Sequence, residues 1–205
     1  MTVVQSEDEK LKEGDRVILT GFRVGEVYFG GFSQYAKVNS EFLVKLPNNL
    51  TTLKAMMMGT AGLTALLCAF AVKAKEELLM GTKVKDVLVT GATGGVGSFA
   101  VMALNKMGYD VHAVTGKKDK HEYLKKLGAK NILDRKDFLG ESKLLEKGLW
   151  DCVVDTVGGE ALTKILVQTK PGGIVALPGN AGGNKISTNA VSYTHLRAHE
   201  TLRYR

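Results

Sequence analysis

The chain has 205 residues, 44% of them hydrophobic, enough to bury a core in one large domain or two small ones. Its net charge of +7 comes from lysines spread along the chain rather than gathered in blocks, which argues against a nucleic-acid footprint and leaves a weak pull on phosphorylated small molecules. Cys68 and Cys152 both sit in apolar settings and no charged leader with an apolar run follows Met1, so the expected setting is reducing and cytoplasmic, without secretion.

Residues 14 to 46 hold short alternating runs broken by glycine: D-R-V-I-L-T, G-E-V-Y-F-G-G-F-S-Q-Y-A-K-V and E-F-L-V-K-L-P. They predict β structure with tight turns. Pro47-Asn48-Asn49 ends it, and Asn49 or Thr51 can cap the helix that follows. Residues 55 to 72 carry no charge for 18 positions, just the length of a membrane span. Gly59, Thr60, Gly62 and Thr64 interrupt the first half and no second such run exists, so a buried helix pair is expected and no membrane contact.

From residue 86 strands alternate with helices. D-V-L-V-T, V-H-A-V-T, N-I-L, D-C-V-V-D and I-V-A-L-P read as five strands, the last after a turn at Pro171-Gly172-Gly173. Between them fall helices in S-F-A-V-M-A-L-N-K-M, ending at Gly108, in K-H-E-Y-L-K-K-L, ending at Gly128, near 139 to 147, and in A-L-T-K-I-L-V-Q. This spacing means right-handed crossovers onto a doubly wound parallel sheet, with five of the usual six strands in view.

The composition changes at residue 190. Up to Ala190 the chain uses 22 Lys and 3 Arg; from Val191 it uses 3 Arg, no Lys, and two of the four histidines. The string V-S-Y-T-H-L-R-A-H-E-T resembles the in-frame translation of a sequencing adapter, so residues 191–205 are expected to be a non-native tail. His195 and His199 stand one helical turn apart, but no third ligand is evident and Glu200 follows the second histidine, so no metal is assigned to them.

V-T-G-A-T-G-G-V-G, residues 89–97, can be framed as T-G-x-x-x-G-x-G or as A-x-G-x-x-G. The first frame suggests a short-chain dehydrogenase and its Tyr-x-x-x-Lys pair, yet Tyr123 is followed four residues later by Leu127 and Tyr193 by Arg197. The second fits the strand and helix around it. Gly94 lets the backbone approach a diphosphate, Gly97 lets the helix pack on the strand, and the amides near Gly95 and Val96 face the phosphates with the positive end of the helix dipole. The second strand ends at Thr115 with T-G-K-K, where an enzyme using NAD places a carboxylate. A hydroxyl and the Lys117 ammonium suit a 2′-phosphate instead, so NADPH is the expected coenzyme.

Together E-G-D-R-V-I-L-T-G-F-R-V-G-E, G-G-F-S-Q-Y-A-K-V, K-A-M-M-M-G-T-A-G-L-T-A-L-L-C, V-T-G-A-T-G-G-V-G-S, H-E-Y-L-K-K-L-G-A and W-D-C-V-V-D-T-V-G-G resemble the medium-chain dehydrogenase/reductase superfamily, within it the acryloyl-CoA reductase-like quinone oxidoreductases. The resemblance implies the second half of a GroES-like catalytic domain over 1–50 and a Rossmann NADP-binding domain over 51–190, with linking helices over 51–80. It implies that Thr93, Gly94, Gly95, Val96 and Gly97 form the cofactor loop, that Thr115, Gly116, Lys117 and Arg135 hold the 2′-phosphate, and that Gly179 and Asn180 lie beside the nicotinamide. Thr64 is expected to face the cofactor, the alternative being a threonine that packs between helices.

The superfamily's zinc enzymes place a catalytic cysteine near Thr60, and no four-cysteine lobe is seen, so a zinc-independent member is implied. The first half of the catalytic domain, the sixth strand and the return to the catalytic domain are expected to be missing. The implied activity of the intact homodimer is conjugate reduction of an enoyl-CoA or a quinone. The proton donor is unassigned, with Tyr28 and Tyr35 read as structural. The rival expectations are an NADPH-binding regulatory module without turnover, and an inactive fragment.

Overall fold

The computed structural model describes residues 1–78, 83–140 and 148–187. Contacts divide the chain into two units, Met1–Leu63 and Thr64–Arg205.

In the first unit, Val17–Leu19 (β1) pairs antiparallel with Leu43–Lys45 (β2). Val3, Leu11 and Val17 form its small core, with Leu43 against it. The middle run expected as β structure is not a strand. Val24 N donates to Gly21 O, Val27 N to Arg23 O and Gly25 N to Tyr28 O, so the stretch closes on itself in successive turns. Backbone groups spent locally cannot join a ladder, and Phe29, Phe32 and Tyr35 stand 94%, 110% and 76% exposed, with no face to bury. Tyr28 packs on Phe42 at 5.6 Å between centroids.

Thr52–Leu78 (α1) contains one residue with non-helical backbone, Gly59, at φ 47° and ψ −153°. It therefore consists of two helices joined at a kink, as the interrupted apolar run suggests. Thr51 provides the cap, its Oγ1 accepting from Lys54 N at 3.2 Å. Burial is only partial: Ala65, Cys68, Ala69 and Val72 are buried, whereas Met56, Met57, Leu67 and Phe70 are exposed. By length and composition Thr52–Glu77 could cross a membrane.

The second unit contains a sheet of five parallel strands, Asp86–Val89 (β3), Asp110–Thr115 (β4), Ala129–Asp134 (β5), Trp150–Val154 (β6) and Thr169–Ala176 (β7), in the order β5-β4-β3-β6-β7. Buried residues run almost continuously through β3, β4 and β6 because both faces are covered. Val87, Val89, Val111, Ala113, Cys152 and Val154 bury on one face with Ala100, Val101 and Leu104 of Gly95–Lys106 (α2) and Leu124 of His121–Lys126 (α3). Leu88, Val114 and Val153 bury on the other with Phe138 of Arg135–Leu139 (α4) and Leu162 and Ile165 of Gly159–Gln168 (α5). Helices on both faces of an open parallel sheet make this a Rossmann-type fold.

Two local expectations change. β7 begins at Thr169 and runs through the supposed turn, which is a bulge: Trp150 pairs with Thr169 but Cys152 with Ile174. α4 starts directly after β5 because Asp134 caps it, accepting from Lys136 N at 2.8 Å. Residues 141–147 of the expected helix lie outside the described residues, as do the tail 191–205, Tyr193, His195 and His199.

Cys68 and Cys152 are both free and buried, and burial pushes the Cys68 thiol up to about 11. Asp151 ties the N-terminal ends of three strands, accepting from Lys85 N at 3.0 Å, Asp86 N at 2.8 Å and Lys170 Nζ at 2.9 Å. Burial pushes its carboxyl up, but the Asp86 amide, the Lys170 ammonium and the Lys85 amide together outweigh this and hold it below the ordinary 3.8. A depressed folded-state value adds stability that is complete above 3.8 and is lost as pH falls through the lower value. Calorimetry from about pH 6 down to about pH 3 is therefore expected to show a falling melting temperature, with a shallower fall in Asp151→Asn. Equal slopes in the two proteins would exclude Asp151 as a source.

Candidate functional site

The C-terminal ends of β3 and β6 lie side by side at the point where strand order reverses, since β3 leads to β4 on one side and β6 to β7 on the other. A crevice opens at such a point. The turn leaving β3 enters it at Gly91, whose φ of +55° is the left-handed region. A Cβ there would also collide with Thr156 Oγ1 and stand 3.3 Å from Val157 Cγ2, so both backbone and space require glycine. Gly94 is the N-cap of α2, with no side-chain cap bond, and its carbonyl accepts from Ser98 N at 2.9 Å.

Gly94 and Gly95 are exposed, while Gly97 is buried. A Cβ on Gly97 would stand 2.8 Å from Ala92 Cα and press into the Gly91 carbonyl. Gly97 thus closes the helix onto the turn, and Gly94 and Gly95 leave the helix start open. The first amides of a helix lack intrahelical acceptors, and with the helix dipole they make this end a seat for an anion. The Val96 side chain packs against the core, leaving its amide as the relevant group.

Thr93 and Thr115 bring the loop to the end of β4, their hydroxyl oxygens 3.4 Å apart. Thr115 is buried and its Oγ1 accepts from Lys117 N at 3.1 Å. Beyond it a cavity of about 720 Å³ is lined by Gly116, Lys117, Lys118, His121, Arg135 and Lys136 among others. The Arg135 guanidinium lies over Gly116, where an added Cβ would stand 3.3 Å from its Nε and 3.4 Å from its Cζ. Asp119, Asp134 and Asp137 also line it, with Asp134 engaged as the α4 cap. His121 Nε2 is buried and has no hydrogen-bond partner among the described residues.

On the other side of the crevice, Gly179 lies against Thr156, a Cβ on it reaching 2.7 Å from Thr156 O. Gly179 and Asn180 line a cavity of about 400 Å³ with Gly158, Leu162, Leu177 and Ile186. Thr64 lies half-buried on α1, and its side chain makes no hydrogen bond to the other candidates among the described residues. The structure thus gathers eleven of the twelve candidates at the strand ends, as one loop and two flanking cavities.

Sequence reasoning missed Gly91, His121 and Asp155. Asp155 is fully buried and accepts from Thr90 Oγ1. Gly91 was legible as the glycine left over from the other frame, but Asp155 had no local signal.

The described residues hold no group of three or more His, Cys, Asp or Glu that could bind a metal ion. A zinc centre is thus not fitted by them.

Residues 95–205 match the family model for zinc-binding dehydrogenases. The chain belongs to that family. Individual relatives extend the likeness over nearly the whole chain. The probable acrylyl-CoA reductase AcuI of Escherichia coli is 45% identical over 192 residues, 94% of this chain and 58% of its own length. The putative quinone oxidoreductase YhfP of Bacillus subtilis is 46% identical over 186 residues, 90% of this chain and 56% of that protein. Its solved structure, with NAD bound, superposes with a TM-score of 0.83 at 42% identity, covering 94% and 59% of the two chains. The Salmonella enterica yhdH oxidoreductase in complex with NADP gives a TM-score of 0.83 at 45% identity, over the same shares of 94% and 59%. The chain therefore spans less than two thirds of the length of these relatives.

Proposed function

We propose that the chain is the coenzyme-binding part of an NADPH-dependent medium-chain reductase acting on the C=C bond of an α,β-unsaturated acyl-CoA such as acryloyl-CoA, or on a quinone. The observation that carries this is the continuity from the open α2 start, through the Thr93–Thr115 contact, to the Arg135–Gly116 pocket. It joins a seat for a diphosphate to a second, cationic seat for a 2′-phosphate. The names of the E. coli and Salmonella relatives support both halves of the reading.

In this reading the amides of Gly95 and Val96 hold the diphosphate. Thr115, Lys117 and Arg135 hold the 2′-phosphate, and His121 lines the same pocket from α3. Gly179 and Asn180 border the nicotinamide, and Thr64 approaches it from α1. NADPH, when bound, supplies hydride to the β carbon of the acceptor. The described residues that line the crevice present no side chain we assign as proton donor.

Residues 1–50 are proposed as part of a GroES-like catalytic domain, 51–190 as the Rossmann domain and 191–205 as a non-native tail. Buried, unpaired Cys68 and Cys152 support a cytoplasmic location. Membrane and nucleic acid have no place in the proposed reaction, no metal takes part, and the intact protein is proposed to be a homodimer.

The test has two parts. NADPH fluorescence titration of this chain should show saturable binding. A polypeptide of the relatives' full length should oxidise NADPH with acryloyl-CoA or with a quinone, and the better substrate sets the class. Binding without oxidation of either would favour a regulatory module. No binding would refute the reading.

A further inference from the structure

We propose that Thr90 and Asp155 form a positioning hub that locks the loop 178–183 onto the phosphate loop 91–97, an inference that rests on the dinucleotide reading above. Asp155 is 0% exposed. Its Oδ1 accepts from the Thr90 hydroxyl and from Val157 N at 3.0 Å, and its Oδ2 accepts from Gly158 N at 3.1 Å. The Thr90 hydroxyl oxygen in turn accepts from Thr156 N at 3.1 Å, and the Thr156 hydroxyl donates to Thr90 O at 3.0 Å. Every partner lies where β3 or β6 ends.

The third strand end joins through the backbone. Asp155 N donates to Ala176 O at 2.8 Å, and Gly182 N donates to Val157 O at 2.6 Å. The loop that Asp155 folds with its two amide bonds is thus the surface on which 178–183 rests, with Gly179 against Thr156 O and the Gly183 carbonyl 2.8 Å from where a Cβ of Gly158 would stand. Gly91 packs on the same Thr156 from the other side. A shift of the Thr90–Asp155 contact therefore moves the two rims of the crevice relative to each other.

A buried carboxylate is costly unless its oxygens are fully hydrogen-bonded, and no ion pair to Asp155 is present among the described residues. An apolar residue would hold β3 to β6 at lower cost. What the carboxylate adds is directional: two oxygens fix one hydroxyl at the end of β3 and two amides in the turn after β6 at once. Asparagine cannot substitute, since either orientation of its amide sets an NH2 group against the N–H of Val157 or Gly158.

Thr90→Val keeps the volume and removes the hydroxyl; Thr90→Ser keeps the hydroxyl. The discriminating ligand pair is NADPH, which spans both rims, and 2′,5′-ADP, which ends before the loop 178–183. In Thr90→Val, NADPH should bind about tenfold more weakly or worse, as for loss of a hydrogen bond to a charged group. Binding of 2′,5′-ADP by calorimetry should stay within about twofold, which also reports that the domain is folded, and Thr90→Ser should restore NADPH binding. Unchanged NADPH affinity in Thr90→Val overturns the hub. So does equal loss of both ligands, which would make Thr90 a determinant of the fold and not of placement. If the unaltered chain binds neither ligand, the dinucleotide reading itself falls and the hub with it, whereas a failure confined to the variants strikes the hub alone.

Discussion

Gly97→Ala is expected to lower the melting temperature by roughly 10 °C and to abolish NADPH binding, because it overpacks a closed contact at a cost of about 3 kcal/mol. The added methyl has no soft neighbour to displace: it meets Ala92 Cα at 2.8 Å and the carbonyl of Gly91, both backbone. Relief requires α2 to lift off the turn, which carries the helix start away from the crevice and loosens Ala100, Val101 and Leu104 from the face of β3 and β4. Gly94→Ala is the control three residues away. Gly94 has φ −78° and is exposed, and a Cβ would come 3.2 Å from Gly91 O, so a small adjustment accommodates it. That variant should keep its melting temperature within a few degrees while losing NADPH affinity, since its methyl stands where the diphosphate is proposed to lie. Thermal denaturation with and without NADPH separates the two effects. A Gly97→Ala protein as stable as the parent would show that the helix is not closed on the turn.

The contrast between these glycines was visible in the sequence because their roles follow from local spacing: one lies at the helix start and the other a turn inside it. The five strands were legible for a similar reason, as largely apolar runs between turn residues, such as Val87–Val89 and Cys152–Val154. Failures arose where the deciding contact is distant in the chain. Thr90 and Asp155 lie 65 residues apart, and nothing near either one announces a shared proton. Pro171-Gly172-Gly173 looks like a turn by composition, but pairing with β6 absorbs it as a bulge. The run from Gly25 to Val38 alternates in places as a strand does, yet residues 24–28 bond locally in turns and Phe29 and Phe32 stand exposed, since alternation alone supplies no partner. Asp134 was readable as a cap only once β5 was known to end there, which moved α4 ahead of its expected place.

Arg135→Ala is expected to weaken NADPH binding by about tenfold to a hundredfold while leaving NADH within about twofold, the range for loss of a hydrogen-bonded charge on a phosphate. Lys117, Lys118, Arg135 and Lys136 face Asp119, Asp134 and Asp137, so the net excess is small and the pocket is not simply a cationic patch. Selectivity must therefore come from placement, and Arg135 is the cation with a planar group, its guanidinium lying over Gly116 beyond the end of β4. Arg135→Lys keeps the charge but loses that plane and its paired donors, so it should recover only part of the preference. Gly116→Val should act like Arg135→Ala, because a side chain at 116 occupies the space the guanidinium now covers. Since Arg135 is exposed, raising the salt concentration should narrow the NADPH-over-NADH ratio in the parent protein and have little effect in Arg135→Ala. The NAD-bound Bacillus subtilis relative makes the comparison worth performing with both coenzymes. Equal losses for NADPH and NADH would mean that Arg135 supports the fold of the β5–α4 corner, where Asp134 already holds the helix, and that the 2′-phosphate is read elsewhere.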